Sequence, residues 1–266
     1  MPFVQLPASA GGARIAYRET GAEAGSVVLH LHGGWGATLY PTDAQTISLR
    51  ERARLVTPMR SGYGASTPLT RLEPGFHQQA AEETLAVLDA LGIERAVLWG
   101  HSDGAVIAVR AALTAPGRVA GVVLEALHLI GDKPGSRAFF TETAADPAWV
   151  GERAAAILAA EHGDRWRSVL QMNARAWLEL AEYLPAPADL YEGRLGQIAS
   201  PVLILHGGQD PRTEPGELDA ICAALPQASR TILEGAGHSP HSERDAAHAV
   251  AQSIAAFVAD VDMLAP

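Results

Sequence analysis

The sequence predicts an α/β fold: a mostly parallel, eight-stranded sheet flanked by helices, with a helical cap inserted after the sixth strand. Three observations predict it. Short β-rich runs alternate with helical patterns along most of the chain. The middle runs are apolar at consecutive positions, as parallel strands buried on both faces are. The alternation fails once, between about His128 and Gln197.

Phe3–Leu6 and Arg14–Glu19 read as an opening antiparallel pair across the turn Ser9-Ala-Gly-Gly12. Ser26–Leu31, Leu55–Thr57, Ala96–Trp99 and Val119–Glu125 read as buried strands, followed late in the chain by Val202–Leu205 and Thr231–Leu233. Between them, Ala81, Leu85, Leu88 and Leu91 recur at helical spacing, as do Ala247, Val250, Ile254 and Phe257, so each set places one helical face on the sheet. Gly104 to Ala115 is small and helix-compatible and ends before Pro116. In the interrupted section, Asp146 as N-cap and Pro147 at the first helical position open one helix, "DPAWVGERAAAILAAEHG". A second long helix follows in "DRWRSVLQMNARAWLELAEY". Residues 128–197 are therefore expected to form the cap, and residues 1–127 with 198–266 the core domain. The plainer reading is a surface hairpin whose Trp149, Trp166, Trp177 and Tyr183 only pack. The run "LPAPADL" is the one linker-like stretch, and no internal repeat is present.

Asp and Glu number 30 against 20 Lys and Arg, a formal charge of −10, and no basic stripe interrupts them. That excludes a nucleic-acid partner and suits a small neutral or cationic substrate. Cys222 is the single cysteine, which rules out an intramolecular disulfide and a zinc site built on several thiolates; it reads as a small buried hydrophobe on a helix. The amino terminus "MPFVQLPASAGGARIAY" has neither a basic nor an apolar signal region, which points to a cytoplasmic protein. Apolar runs such as Val119 to Ile130 are too short for a bilayer, so no membrane partner is expected.

The chemistry concentrates in Gly100-His-Ser-Asp-Gly104, a G-x-S-x-G pattern between a strand and a helix. In that turn the serine takes a strained backbone, and side chains at the two glycine positions would collide with the adjoining strand and helix. A serine hydroxyl needs a base and an acid that orients the base. "VLILHGGQD" places Asp210 just past the penultimate strand, and "TILEGAGHSPH" places His238 just past the last. Ser102, Asp210 and His238 then follow the order nucleophile, acid, base, each at the carboxyl end of a strand. Of the ten histidines, His30, His77, His128, His162 and His248 read as core or surface residues, and His206 as strand-end packing. His241 is the alternative base and Glu125 the alternative acid. For the oxyanion, one N–H comes from Asp103 and the other from "HGGWG", at Gly34 or, failing that, Trp35.

The motifs "HGGWG", "RSGYGAS", "GHSDG", "HGGQD" and "GAGHSPH", in that order, resemble the α/β-hydrolase superfamily and span Leu31 to His241. The sequence departs from that pattern at Met59, where relatives usually carry an aspartate, and at Asp103, where many carry a hydrophobic residue. Ser-Asp-Gly is similar to the nucleophile elbow of the biphenyl hydrolase-like branch, whose members include amino-acid ester hydrolases. The Asp103 carboxylate has two readings: it caps a helix N-terminus, or it faces the pocket and pairs with a cationic group of the substrate, with Trp35 and Trp177 as further substrate contacts. The expected activity is cleavage of a small carboxylic ester through an acyl-enzyme, without metal or organic cofactor. The alternatives are hydrolysis of a carbon–carbon bond or lactone by the same residues, and a non-catalytic ligand-binding module. Dehalogenase and epoxide hydrolase relatives use an aspartate nucleophile where this chain has Ser102.

Overall fold

A computed structural model describes residues 1–22 and 25–264. Its eight strands form one sheet: β1 (Phe3–Gln5), β2 (Arg14–Gly21), β3 (Ser26–Leu31), β4 (Ala53–Pro58), β5 (Ala96–His101), β6 (Val119–Glu125), β7 (Val202–Gly207) and β8 (Ser229–Leu233). They lie in the order β1-β2-β4-β3-β5-β6-β7-β8. β1 and β2 pair antiparallel, as does β2 with β4; every other pairing is parallel. The central strands explain their own sequences. All six residues of β5 are buried, so "AVLWGH" shows no polar alternation because helices cover both faces.

On one face lie α2 (Phe76–Ala90), α3 (Asp103–Thr114) and α7 (Glu217–Ala224); on the other, α1 (Asp43–Leu49) and α8 (Ala247–Met263). The first face shares its apolar core with residues of the section between β6 and β7, including Phe140, Ala174, Trp177 and Leu180. That section holds α4 (Pro134–Ala145), α5 (Glu152–His162) and α6 (Trp166–Tyr183).

Three details differ from the sequence reading. The stretch that follows Asp146 is not one helix. Asp146 does cap, accepting from the Ala148 N–H at 3.0 Å, but the turn it starts is a 3-10 segment, Pro147–Val150. Gly151, at φ 83°, breaks the chain direction before α5 begins. Helices α1 and α4 lie outside the helical patterns read from the sequence. In α4, "PGSRAFFTETAA" opens on a Pro-Gly pair that reads as a turn, although Pro is at home in a first helical turn. Cys222 lies on α7 as expected, but half-buried.

Chain order along the sheet reverses at β3, which is flanked by β4 and β5. The loops leaving the carboxyl ends of β3 and β5 therefore diverge and leave a crevice, the place where open α/β sheets bind ligands.

Candidate active site

Ser102 connects β5 directly to α3 with φ 54° and ψ −117°, a conformation that non-glycine residues rarely hold. The flanking glycines make that turn possible. A Cβ on Gly104 would lie 1.8 Å from the Leu31 carbonyl oxygen of β3, and one on Gly100 would lie 2.2 Å from the Gly104 carbonyl oxygen. Neither atom can move aside, because both belong to backbone.

Ser102 Oγ lies 3.0 Å from His238 Nε2, and His238 Nδ1 lies 2.8 and 3.0 Å from the two Asp210 oxygens. Asp210 sits in the loop after β7 and His238 in the loop after β8. Burial pushes the Asp210 carboxyl up, but the His238 hydrogen bond and charge outweigh it and hold the group well below the usual carboxylate range. With Asp210 ionised, Nδ1 carries the imidazole proton and Nε2 is left to accept from the serine hydroxyl. His101 Nε2 meets the His238 carbonyl oxygen and Ser239 Oγ, both at 3.1 Å, which fixes the backbone of the His238 loop.

The alternative acid and base pair with each other instead. His241 Nδ1 and its backbone N–H both reach Glu125 Oε1 at 2.9 Å, Trp99 Nε1 donates to Glu125 Oε2 at 3.0 Å, and His241 Nε2 faces the Tyr40 carbonyl oxygen. This pair is buried beside the site and does not contact Ser102 Oγ. Burial raises the Glu125 carboxyl, yet the His241 contacts prevail and hold it at about 2. His30, His77 and His162 are buried and His248 is exposed. His206 Nε2 lies 2.9 Å from Thr213 Oγ1 at the end of β7.

His128 is the histidine that sequence reasoning missed. Its Nε2 lies 3.4 Å from Ser102 Oγ, and its ring stacks 5.5 Å from that of His238. Lys133 Nζ reaches His128 Nδ1 at 3.0 Å and both Glu217 oxygens at 3.0 and 2.9 Å. A lysine ammonium only donates, so Nδ1 accepts and the His128 proton sits on Nε2, facing the serine. No motif marks this group, because its members come from the loop after β6, the start of α4 and the start of α7.

Asp103 sits in the first turn of α3, where the helix-terminus reading puts its carboxylate, and it also lines the pocket beside Ser102. It accepts from Asn173 Nδ2 and Trp177 Nε1, each at 2.7 Å, and lies 3.6 Å from Arg60 Nη2. Three donors of the protein therefore surround it. Trp177 is not among the residues that line the pocket: its N–H is committed to Asp103 and its ring stacks on Phe140. Met59 is fully buried with Ala16 and Ala37.

Arg60 also ties down the first loop. Its Nη1 donates to the His32 carbonyl and its Nη2 to that of Gly33 at 3.3 Å. From the other side, Glu161 of α5 accepts from the Ala37 and Thr38 N–H groups at 2.9 Å and from the Thr38 hydroxyl. Gly36 has φ 102°, and a Cβ there would meet Glu161 Oε2 at 2.7 Å. Among the described residues no acceptor engages the N–H of Gly34, Trp35 or Asp103. A pocket of about 150 Å³ opens beside Ser102 and His238, walled by Gly34, Trp35, Tyr40, Phe139, Phe140 and Arg212. Among the described residues there is no cluster of three or more His, Cys, Asp or Glu able to hold a metal ion, and no helix is long and apolar enough to cross a membrane.

Comparison with known proteins agrees with this architecture. The chain is 29% identical to a pimeloyl-[acyl-carrier protein] methyl ester esterase of Nitrosomonas europaea, over 86% of this chain and 94% of that protein. It is 26% identical to the serine hydrolase BPHL of Mus musculus, over 86% and 78%. The crystal structure of a hydrolase from Pseudomonas aeruginosa superposes with a TM-score of 0.74 at 25% identity, covering 96% of this chain and 98% of that one. A family model described as "Alpha/beta hydrolase family" matches residues 28–253. The sheet order, the strand-to-helix turn at Ser102 and that match over most of the sequence together make this chain a member of the alpha/beta hydrolase family.

Proposed function

We propose that the protein is a serine hydrolase that cleaves a small-molecule carboxylic ester through an acyl-enzyme intermediate. The observation that carries this reading is the continuous line from Asp210 through His238 to Ser102 Oγ, with contacts of 2.8 and 3.0 Å. In this reading Ser102 is the nucleophile. His238 takes its proton as Oγ attacks the ester carbonyl and returns it to the leaving alkoxide, so the alcohol departs neutral. Asp210 holds the imidazole tautomer and stabilises the imidazolium. The N–H groups of Gly34 and Asp103 hold the oxyanion, with the Trp35 N–H as the alternative to Gly34. Water activated by His238 then releases the acid and restores the serine. Residues 128–197 act as a cap that closes the pocket with Phe139 and Phe140, and Trp35 forms the wall opposite.

A fluorophosphonate probe is expected to label the wild-type protein at Ser102 and to leave Ser102→Ala unlabelled. Turnover of short acyl esters should fall by about six orders of magnitude in that variant. A well-folded wild-type protein that resists the probe and turns over no ester would defeat this reading and favour a binding module.

A further inference from the structure

Arg212 is the feature of the pocket that the proposed mechanism leaves unused. It follows Asp210 by two residues, and its backbone N–H donates to Asp210 Oδ1 at 2.8 Å, so the loop that holds the acid also aims this side chain. Its guanidinium lies over two rings, 4.1 Å from the centre of Phe139 and 4.5 Å from that of Phe140. Stacking of this kind fixes the plane of the guanidinium and leaves its edge available.

The edge is poorly satisfied. Nε and Nη2 share one acceptor, Ser136 Oγ, at 3.3 and 3.4 Å, beyond the usual range for N–H···O bonds. Among the described residues Nη1 has no acceptor and no carboxylate comes within 4.0 Å of the guanidinium. The carboxylates of this region are engaged elsewhere: Asp210 by His238, Asp103 by Arg60, Glu217 by Lys133. A partly buried cation without a contact anion is costly unless a ligand supplies one. Arg212 lines the same pocket as Ser102 and His238.

From this geometry we infer that the substrate carries a carboxylate, bound by the Arg212 guanidinium while the ester carbonyl meets Ser102. The inference rests on the serine-hydrolase reading above. A planar fork of donors matches a carboxylate bidentately, and hydrogen bonds between ionised partners are the strong ones. The formal charge of −10 repels anions at long range, which makes a local cation the requirement for holding one. Specificity here runs against the charge of the whole surface.

The test compares charged esters with neutral isosteres. Monomethyl succinate against methyl 4-oxopentanoate places the carboxylate on the acyl side; acetoxyacetate against acetoxyacetone places it on the alcohol side. In wild type, kcat/KM for the charged member of at least one pair should exceed its isostere by about tenfold or more. Arg212→Gln should bring that ratio to within about threefold of unity, and Arg212→Lys should retain part of it. Equal rates within both wild-type pairs, with Ser102 still labelled by fluorophosphonate, would overturn the carboxylate inference and leave the hydrolase reading standing. An equal loss for charged and neutral esters in Arg212→Gln would overturn it too, by reducing Arg212 to a structural role. Absence of both labelling and turnover would remove the hydrolase reading and this inference with it. The wild-type ratios need no variant, so a poorly folding Arg212→Gln protein does not prevent the decision.

Discussion

The hydroxyl of Ser102 stands between two imidazoles, and the two are held in opposite tautomers. His238 has its proton on Nδ1 because Asp210 accepts there; His128 has its proton on Nε2 because Lys133 donates to Nδ1. One ring is ready to take the serine proton, while the other offers an N–H to the same oxygen. Burial, with the Lys133 charge beside it, holds the His128 pKa well below its ordinary value, so this imidazole stays neutral. The arrangement depends on an ion pair between Lys133 and Glu217 that is almost fully excluded from solvent. Glu217 also accepts from the Leu129, Ile130 and Glu214 N–H groups at 2.9, 3.3 and 3.0 Å, so loss of Lys133 leaves a buried carboxylate that is hydrogen-bonded but has no counter-charge. Lys133→Met is therefore expected to destabilise the fold by about 3–5 kcal/mol, read from the denaturant midpoint, and Lys133→Met/Glu217→Leu to recover none of it, because the leucine leaves three N–H groups without their acceptor. A loss below about 1 kcal/mol in the single variant would show that the pair is solvated in solution.

At the scale of elements, the site is assembled from loops that the helices between β6 and β7 hold in place. Helix α5 supplies Glu161 to the N–H groups of Ala37 and Thr38. His162 bridges the Gly64 N–H and the Trp35 carbonyl oxygen, each at 3.0 Å. Helix α6 supplies Asn173 and Trp177 to Asp103. Glu161→Ala would leave two loop N–H groups and a hydroxyl without their acceptor, at a cost of about 1–3 kcal/mol for each group that water cannot reach. The expected result is a lower melting temperature together with a fall in kcat larger than any change in KM, because the Gly34 region would lose its placement. Unchanged kcat for a short acyl ester would mean that the loop keeps its shape without α5. Helix α3 contributes differently. Its small residues Gly104, Ala105 and Ala108 let the helix sit against β3 and β5, which sets Ser102 at the mouth of the crevice.

For the whole molecule, buried ionisable groups define the pH range of stability. Burial is the leading cause that lowers His30, His32, His77, His101 and His128, with His77 and His101 at about 3. In the unfolded chain these imidazoles take up protons near their ordinary value of about 6.5. The unfolded state then binds more protons than the native one, so stability rises with pH through this window and is lost as pH falls from about 6.5 toward 3. Glu125, held at about 2, acts with the same sign at lower pH. At the alkaline end, burial raises Tyr40 and Tyr63 to about 12, so the unfolded chain ionises first and stability declines above about pH 10. Denaturant midpoints should be flat between about pH 7 and 9 and fall steeply below pH 6, by up to about 1.4 kcal/mol per pH unit for each imidazole involved. A midpoint independent of pH down to about 4 would contradict the burial of these rings.

The sequence by itself determined the sheet and the line of contacts from Asp210 through His238 to Ser102. Strands buried on two faces must be apolar throughout, so β3, β5 and β6 are legible as runs. The strained turn at Ser102 demands glycines at fixed offsets, so Gly100 and Gly104 announce it locally. Asp210 and His238 are legible because each follows a recognisable strand. Tertiary structure alone decided what surrounds that line. The partners of Asp103 come from the loop after β4 and from α6, the group behind His128 from three separate segments, and the rings beneath Arg212 from α4. The reason is physical: a strand or a tight turn constrains neighbouring residues through the backbone, whereas an ion pair or a stacked ring constrains residues that are near only after folding.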